Sequence, residues 1–140
     1  MKVFVDTGAF CALTIPADSW HAEAMHILTL LRETRARIYT SNFVLSEIYT
    51  LLNTRAGHRA AVAFMDSHKQ GGVNTLRITE QTETDAEALF KKLDFPRLSF
   101  TDCTSFALIN THAIDHVFTF DTHFSMFRFK RPVVILGAQS

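Results

Sequence analysis

The sequence predicts an α/β domain whose central, mostly parallel sheet is flanked by helices. Short apolar runs of strand-like length alternate along the chain with longer segments in which apolar residues recur at helical spacing. This alternation is typical of parallel sheets, because each parallel pair of strands needs a crossover connection that a helix usually supplies. A chain of 140 residues is long enough for one such domain and too short for two, so residues 1–140 are expected to form a single domain.

The first half of the chain is expected to contain two strands and four helices. Helical periodicity begins after Ser19, which is a suitable N-cap, and begins again after Ser41. Gly57 breaks the second periodic segment into two helices, and the turn-prone residues 6–8 separate the first strand from the first helix. In chain order the predicted elements are a strand at 2–5, a short helix at 9–14, a helix at 20–36, a strand at 37–40, and helices at 43–55 and 59–70.

The second half is expected to contain three strands and two helices. One helix has an acidic first turn and Lys91 and Lys92 in its last turn, which matches the helix macrodipole. Pro96 separates that helix from the next one, and residues 124–129 are expected to be irregular. In chain order the predicted elements are a strand at 74–79, helices at 82–93 and 99–113, and strands at 116–120 and 132–136.

The composition excludes several classes of protein. With 47% hydrophobic and 20% charged residues, the chain is not disordered. No apolar run approaches the roughly 20 residues that span a bilayer, and the N-terminus lacks a signal-peptide pattern. A cytoplasmic location without a membrane partner is therefore expected. Cys11 and Cys103 are far apart, without metal-binding spacing, and are expected to be small buried hydrophobes.

Four acidic residues interrupt or close apolar stretches of the sequence. Two of them directly follow predicted strands, and ligands of open α/β sheets bind at the carboxyl ends of the strands. If the first and fourth strands are neighbours, both of these carboxylates point into the same crevice. Of the other two acids, Glu47 lies too deep in an apolar helix for a capping box, and Asp102 lies in the first turn of a helix. The four residues are, in order, Asp6, Glu47, Asp102 and Asp121.

Each of these acids alone is more simply a helix cap, a turn residue or a solvated side chain, whereas the ordered set favours one shared site. Burying an unpaired carboxylate is costly, and two like charges about 4 Å apart repel by roughly 4 kcal/mol at an effective dielectric near 20. A divalent cation offsets this repulsion, and carboxylates with water suit Mg²⁺ or Mn²⁺. The sequence therefore predicts a metal-dependent enzyme that acts on phosphate esters.

The charges of the chain balance overall, with 14 Lys and Arg against 14 Asp and Glu. A net charge of zero counts mildly against a strong nucleic-acid binder. If the four acids share a cleft, however, the rest of the surface carries an excess of positive charge. Arg55 follows Glu47, and Arg128 and Lys130 follow Asp121. These cations are candidates for RNA phosphate contacts, and solvated surface charge explains each of them equally well.

The same residues carry a family resemblance. The segments VDTGAF, SEIYTLL, SFTDCTSFAL and FDTHF occur in an order and at a spacing similar to those of PIN-domain proteins, specifically VapC-type toxin ribonucleases of type II toxin–antitoxin systems. The resemblance implies a PIN-like fold, an Mg²⁺- or Mn²⁺-dependent endoribonuclease, a homodimer and inhibition by a VapB-like antitoxin. It implies that the acids are the metal ligands, with Thr7 and Thr101 as supporting hydroxyls. His123 stands where many relatives have a further acid, so it is a candidate phosphate contact or supporting donor.

We expect a metal-activated water to attack an RNA phosphodiester in line. Asp6, Asp102 and Asp121 would hold the metal, and Glu47 would be a ligand or orient the water. Two alternatives remain at this point. A phosphatase-like enzyme with Asp6 as nucleophile would commonly need a second acid two residues later, where the chain has Gly8. A non-catalytic RNA-binding or receiver-like scaffold would use the acids only as helix caps.

Overall fold

The computed structural model describes residues 1–137 and has a five-stranded sheet with the strand order β3-β2-β1-β4-β5. All four neighbouring pairs are parallel, which confirms the predicted α/β class. The first strand lies at the centre of the sheet and is almost completely buried, as its continuous apolar sequence requires. The strands are β1 (Lys2–Val5), β2 (Arg37–Ser41), β3 (Val73–Leu76), β4 (His116–Phe118) and β5 (Val134–Leu136).

Helices connect the strands and cover the sheet. The sixth helix has eight consecutive buried residues, consistent with a helix that is apolar on all sides and lies in the core. None of the helices within residues 1–137 combines the length and the apolar composition that crossing a bilayer requires. The helices are α1 (Thr7–Thr14), α2 (His21–Glu33), α3 (Asn42–Arg55), α4 (His58–Lys69), α5 (Glu80–Lys92), α6 (Phe100–Thr111) and α7 (His123–Met126).

The start of α1 differs from the prediction of a turn at residues 6–8. Asp6 is the N-cap of this helix, and its backbone carbonyl accepts a hydrogen bond of 3.2 Å from the amide of Phe10. The helix therefore begins at Thr7, directly after the strand. The backbone of Asp6 is therefore hydrogen-bonded both to the sheet and to the first turn of α1.

Two further local predictions were wrong. Ser19 does not cap α2, because Asp18 Oδ1 accepts from the amide of Trp20 at 2.9 Å and Trp20 itself occupies the N-cap position. Residues 124–129 are not entirely irregular, because α7 begins at His123. Its first turn is stabilised by Asp121 Oδ1, which accepts from the amide of His123 at 2.8 Å. A helix of four residues is too short to produce a recognisable periodicity.

The sheet order confirms that the first and fourth strands are neighbours. Val5 pairs with Phe118 in parallel register, and the amide of Asp6 donates to the carbonyl of Phe118 at 3.0 Å. β4 ends at Phe118, two residues earlier than predicted, although the amide of Thr119 still donates to Leu136 at 3.0 Å. The residues that follow β1 and β4 therefore emerge side by side at the carboxyl edge of the sheet.

Candidate active site

A cleft of about 690 Å³ opens at the carboxyl ends of β1 and β4. Thr7, His123 and Arg55 contribute to its lining. Within residues 1–137, the structure places Thr101, Arg128 and Lys130 outside the lining of this cleft. All four acids singled out from the sequence line it, namely Asp6, Glu47, Asp102 and Asp121.

Asp6 lies deepest in the cleft and is only 5% exposed. Its Oδ2 atom accepts a hydrogen bond of 3.0 Å from the hydroxyl of Thr119. Burial raises the pKa of Asp6 to about 8, and the nearby charges of Asp102 and Asp121 add to the shift. A carboxyl group with this pKa holds its proton at neutral pH unless a cation approaches it.

Thr119 connects two of the acids and was not identified from the sequence. Besides its bond to Asp6, its Oγ1 atom accepts from the amide of Asp121 at 3.0 Å, and the residue is completely buried. The only signal in the sequence is a hydroxyl residue inside the apolar run before Asp121. Hydroxyl residues are common at strand ends, where they bond to nearby backbone groups. The sequence pattern alone therefore does not indicate that Thr119 belongs to the site.

Asp102 forms a capping box with Ser99 at the start of α6. Ser99 Oγ accepts from the amide of Asp102 at 3.0 Å, and Asp102 Oδ2 accepts from the amide of Ser99 at 3.3 Å. Burial, together with the charge of Asp121, raises the pKa of Asp102 to about 6. The sequence offered a helix cap and a site ligand as alternatives, and the structure places Asp102 in the cap and in the cleft at once.

His123 faces Asp102 and Asp121. Its Nδ1 atom lies 2.9 Å from Asp121 Oδ1 and 3.4 Å from Asp102 Oδ2, yet this buried nitrogen has no aligned hydrogen-bond partner. Burial lowers the pKa of His123, but the Pro96 carbonyl and the two carboxylates outweigh it, so the net shift is upward. One possible ligand atom from each of the three residues lies within 4.8 Å of the others.

Glu47 approaches the cleft from α3 and is held by α1. Its Oε1 atom accepts a hydrogen bond of 2.6 Å from the hydroxyl of Thr7. Glu47 is half-buried, whereas Thr7 is buried. Neither Glu47 nor Asp6 belongs to the compact group formed by Asp102, Asp121 and His123. The cleft therefore has a tight group of ligand atoms and two further carboxylates, the buried Asp6 and the glutamate that Thr7 orients.

Basic and aromatic side chains also line the cleft. Arg55 places Nη1 3.4 Å from Cys11 Sγ, and Arg97 has a backbone φ of 59°, an uncommon conformation for a non-glycine residue. In residues 1–137, the ion pairs involve only histidines, so neither arginine is neutralised by a carboxylate. The ring of Trp20 stacks on Phe120, with centroids 5.3 Å apart and an interplanar angle of 7°.

The residues present fit a divalent cation. Three carboxylates converge, and the pKa values of Asp6 and Asp102 are raised mainly because burial leaves their negative charge poorly compensated. The buried, unpartnered nitrogen of His123 lies against two of the three carboxylates, Asp102 and Asp121. Oxygen donors suit Mg²⁺ and Mn²⁺, and an imidazole nitrogen suits transition metals better than Mg²⁺.

The strand order and the acids at the carboxyl edge define a parallel α/β protein with an acidic cleft. Residues 3–130 match the PIN domain, and the chain belongs to the PIN domain family. It is 37% identical over 123 residues to the 23S rRNA-specific endonuclease VapC20 of Mycobacterium tuberculosis, covering 88% of this chain and 92% of that protein. The resemblance to VapC-type PIN domains that the motifs indicated is thereby confirmed.

Solved structures agree with this assignment. The crystal structure of Mycobacterium tuberculosis VapC20, described as a Sarcin-Ricin loop cleaving toxin, matches with a TM-score of 0.81 at 35% identity. The match covers 91% of this chain and 95% of VapC20. VapBC2 from Rickettsia felis, bound to a DNA fragment from its promoter, matches with a TM-score of 0.71 over 96% of this chain and 97% of that chain. At 12% identity, the latter likeness shows the fold alone.

Proposed function

We propose that this protein is a divalent-metal-dependent endoribonuclease and the toxin of a toxin–antitoxin pair. The observation that carries the proposal is the convergence of Asp6, Asp102 and Asp121 in one cleft of a PIN domain. The likeness to an endonuclease over most of both chains supports the reaction class. Simple helix capping does not explain the cluster, because Asp102 completes its capping box and still lies in the cleft beside Asp121.

In this proposal Asp6, Asp102 and Asp121 hold Mg²⁺ or Mn²⁺. When bound, the cation would lower the pKa of a water molecule and stabilise charge on the phosphate. The protein's own contribution is to fix the acids before the substrate arrives. Thr119 aligns Asp6 and the chain at Asp121, and Ser99 fixes Asp102.

Glu47 has a separate role in the proposal. The bond from Thr7 holds its carboxylate in the cleft but outside the compact group of ligand atoms. A carboxylate so placed is suited to orient the attacking water, since a general base must lie within hydrogen-bond reach of the proton it accepts. Thr7 is accordingly a positioning residue for Glu47.

The walls of the cleft suit a single-stranded segment of RNA. Arg55 and Arg97 supply positive charge that no carboxylate of the described chain neutralises, and Arg side chains bind phosphate well. Trp20 is 39% exposed and lies next to the acids, and aromatic rings stack on unpaired bases. Since VapC20 is an rRNA-specific endonuclease, we propose an exposed loop of ribosomal RNA as the substrate.

A toxin of this kind needs an inhibitor in the cell that makes it. We propose a VapB-like antitoxin as the protein partner, because the relative that matches at 35% identity is described as a toxin. The homodimer implied by the family resemblance is part of the same proposal. Light scattering of the purified protein, alone and with the product of an adjacent reading frame, measures both assemblies.

The test is a cleavage assay with purified protein, 23S rRNA, a matching DNA oligonucleotide and p-nitrophenyl phosphate. We expect cleavage of the RNA alone, in Mg²⁺ or Mn²⁺, with its loss in EDTA and in Asp102→Asn. Hydrolysis of the small ester instead would favour a phosphatase. RNA cleavage that persists undiminished in EDTA and in Asp102→Asn would overturn the metal mechanism.

A further inference from the structure

The proposed nuclease mechanism assigns no role to the imidazole of His123. Nδ1 is buried and has no hydrogen-bond partner, although it lies 2.9 Å from Asp121 Oδ1 and 3.4 Å from Asp102 Oδ2. One carboxylate oxygen of each acid and Nδ1 therefore lie close enough together for a single cation to contact all three residues.

The other ring nitrogen determines which atom faces the acids. Nε2 of His123 lies 2.6 Å from the carbonyl oxygen of Pro96. A carbonyl oxygen can only accept, so Nε2 carries a hydrogen. In the neutral form of the ring the lone pair is therefore on Nδ1, the atom that faces the acids. Metal-binding histidines almost always donate their second ring nitrogen to a carbonyl or carboxylate in this way.

The Phe95 ring and the backbone amide of His123 also hold the imidazole in place. The ring of Phe95 lies parallel to the imidazole, with centroids 6.3 Å apart and an interplanar angle of 3°. The backbone amide of His123 donates to Asp121 Oδ1 at 2.8 Å. The two carboxylates place negative charge beside Nδ1, and a cation between the three groups is attracted to all of them.

We propose, building on the nuclease function above, that His123 Nδ1 is a direct nitrogen ligand of the metal held by Asp102 and Asp121. A nitrogen ligand has a clear chemical consequence. Mg²⁺ strongly prefers oxygen ligands, whereas Mn²⁺ also accepts imidazole. The site accordingly favours Mn²⁺ over Mg²⁺, and Pro96 acts as the positioning residue that fixes the tautomer.

Pulsed electron paramagnetic resonance of the Mn²⁺-loaded protein tests this directly and needs no catalysis. We expect the nitrogen modulation of a bound imidazole, changed in pattern when histidine is labelled with ¹⁵N. The signal should disappear in His123→Gln and persist in His26→Gln, which changes an exposed histidine on α2. If the His123→Gln variant is poorly folded, His123→Asp takes its place, because it also removes the imidazole.

Competition titrations of Mn²⁺ against Mg²⁺ give a second readout. His123→Asp replaces the nitrogen ligand by an oxygen ligand, and we expect it to reduce the preference for Mn²⁺ at least tenfold while the cleft still binds metal. Bound Mn²⁺ with oxygen ligands only, or an unchanged preference in His123→Asp, would overturn the proposal and leave the nuclease function intact. Failure of the wild type to bind either Mn²⁺ or Mg²⁺ would remove both proposals.

Discussion

The hydroxyl of Thr119 donates to Asp6 Oδ2 at 3.0 Å and joins the ends of two neighbouring strands across the floor of the cleft. Thr119→Val keeps the shape of the side chain and removes this bond. We expect a loss of metal affinity or cleavage activity of about 10- to 100-fold, as for other groups that orient ligands. Isothermal titration with Mn²⁺ and the RNA cleavage rate measure the two effects.

Thr40→Val is the matched control for this substitution. Thr40 is also completely buried, and its hydroxyl donates to the backbone carbonyl of Val5 at 3.0 Å and not to an acidic side chain. Both variants should lose about 1–3 kcal/mol of unfolding free energy, because a buried hydrogen bond is lost. Equal losses of activity in the two variants would show that Thr119 acts on stability alone.

The stability of the metal-free protein should fall as the pH rises. The pKa of Asp6 is about 8 in the folded protein, against an ordinary value of about 3.9 in an unfolded chain. A group whose pKa is raised by folding stabilises the fold fully below its unfolded pKa, and this contribution is lost as the pH rises through its folded pKa. Urea denaturation in EDTA at pH 5 and pH 8 measures the difference.

Asp6→Asn removes this titration and serves as the internal comparison. Without metal at pH 8, the variant should be more stable than the wild type, and its stability should depend less on pH. Saturating Mn²⁺ should stabilise the wild type at pH 8, because an ion that binds only the folded form at 100 times its Kd contributes about 2.7 kcal/mol. A wild-type protein that is more stable at pH 8 than at pH 5 in EDTA would contradict the account.

Ser99 should matter for activity as well as for stability. Ser99→Ala removes the N-cap of α6, at a cost of about 1 kcal/mol, and also releases Asp102 from its capping box. Thr79→Ala removes a side-chain cap from α5, which does not line the cleft. The two variants should melt at similarly lowered temperatures, and only Ser99→Ala should lower kcat. A parallel decrease of kcat in Thr79→Ala would assign the effect to stability.

Trp20 is the only tryptophan of the chain and reports directly on the cleft. In the Asp102→Asn background, addition of a ribosomal loop oligonucleotide should quench its fluorescence. Trp20→Ala should weaken RNA binding by about 1–3 kcal/mol, the usual contribution of a stacked base. Phe90→Ala, at an exposed aromatic residue outside the cleft, should leave the affinity unchanged. If the RNA binds without quenching the Trp20 fluorescence, its bases do not stack on Trp20.

The positions of the strand-end acids could be predicted because topology determines them. In a parallel sheet every strand ends at the same edge, so Asp6 and Asp121 had to meet once β1 and β4 were neighbours. Glu47 and Asp102 were singled out because they interrupt apolar helical segments, and the family resemblance then supported them. The sequence does not show which face of α3 or of α6 is turned toward the cleft.

The supporting roles of Ser99 and Thr119 could not be predicted, because they depend on local register. Ser99 takes the place beside Asp102 that the resemblance gave to Thr101, since the capping box joins residues three apart. Arg128 and Lys130 are close to Asp121 in sequence, but they follow α7 and lie outside the cleft. Neither the hydrogen bond of His123 to Pro96 nor the role of Thr119 leaves a pattern in the sequence.

The segment between α5 and α6, residues 93–99, looks like an ordinary surface connection, with Pro96 and Arg97 exposed. Its backbone nevertheless anchors the imidazole of His123, and its last residue fixes Asp102. Shortening it by a single residue would disengage both groups together. Homologous sequences should accordingly tolerate length variation at the Gly71–Gly72 turn, which lies outside the cleft, and strictly preserve the length of this connection.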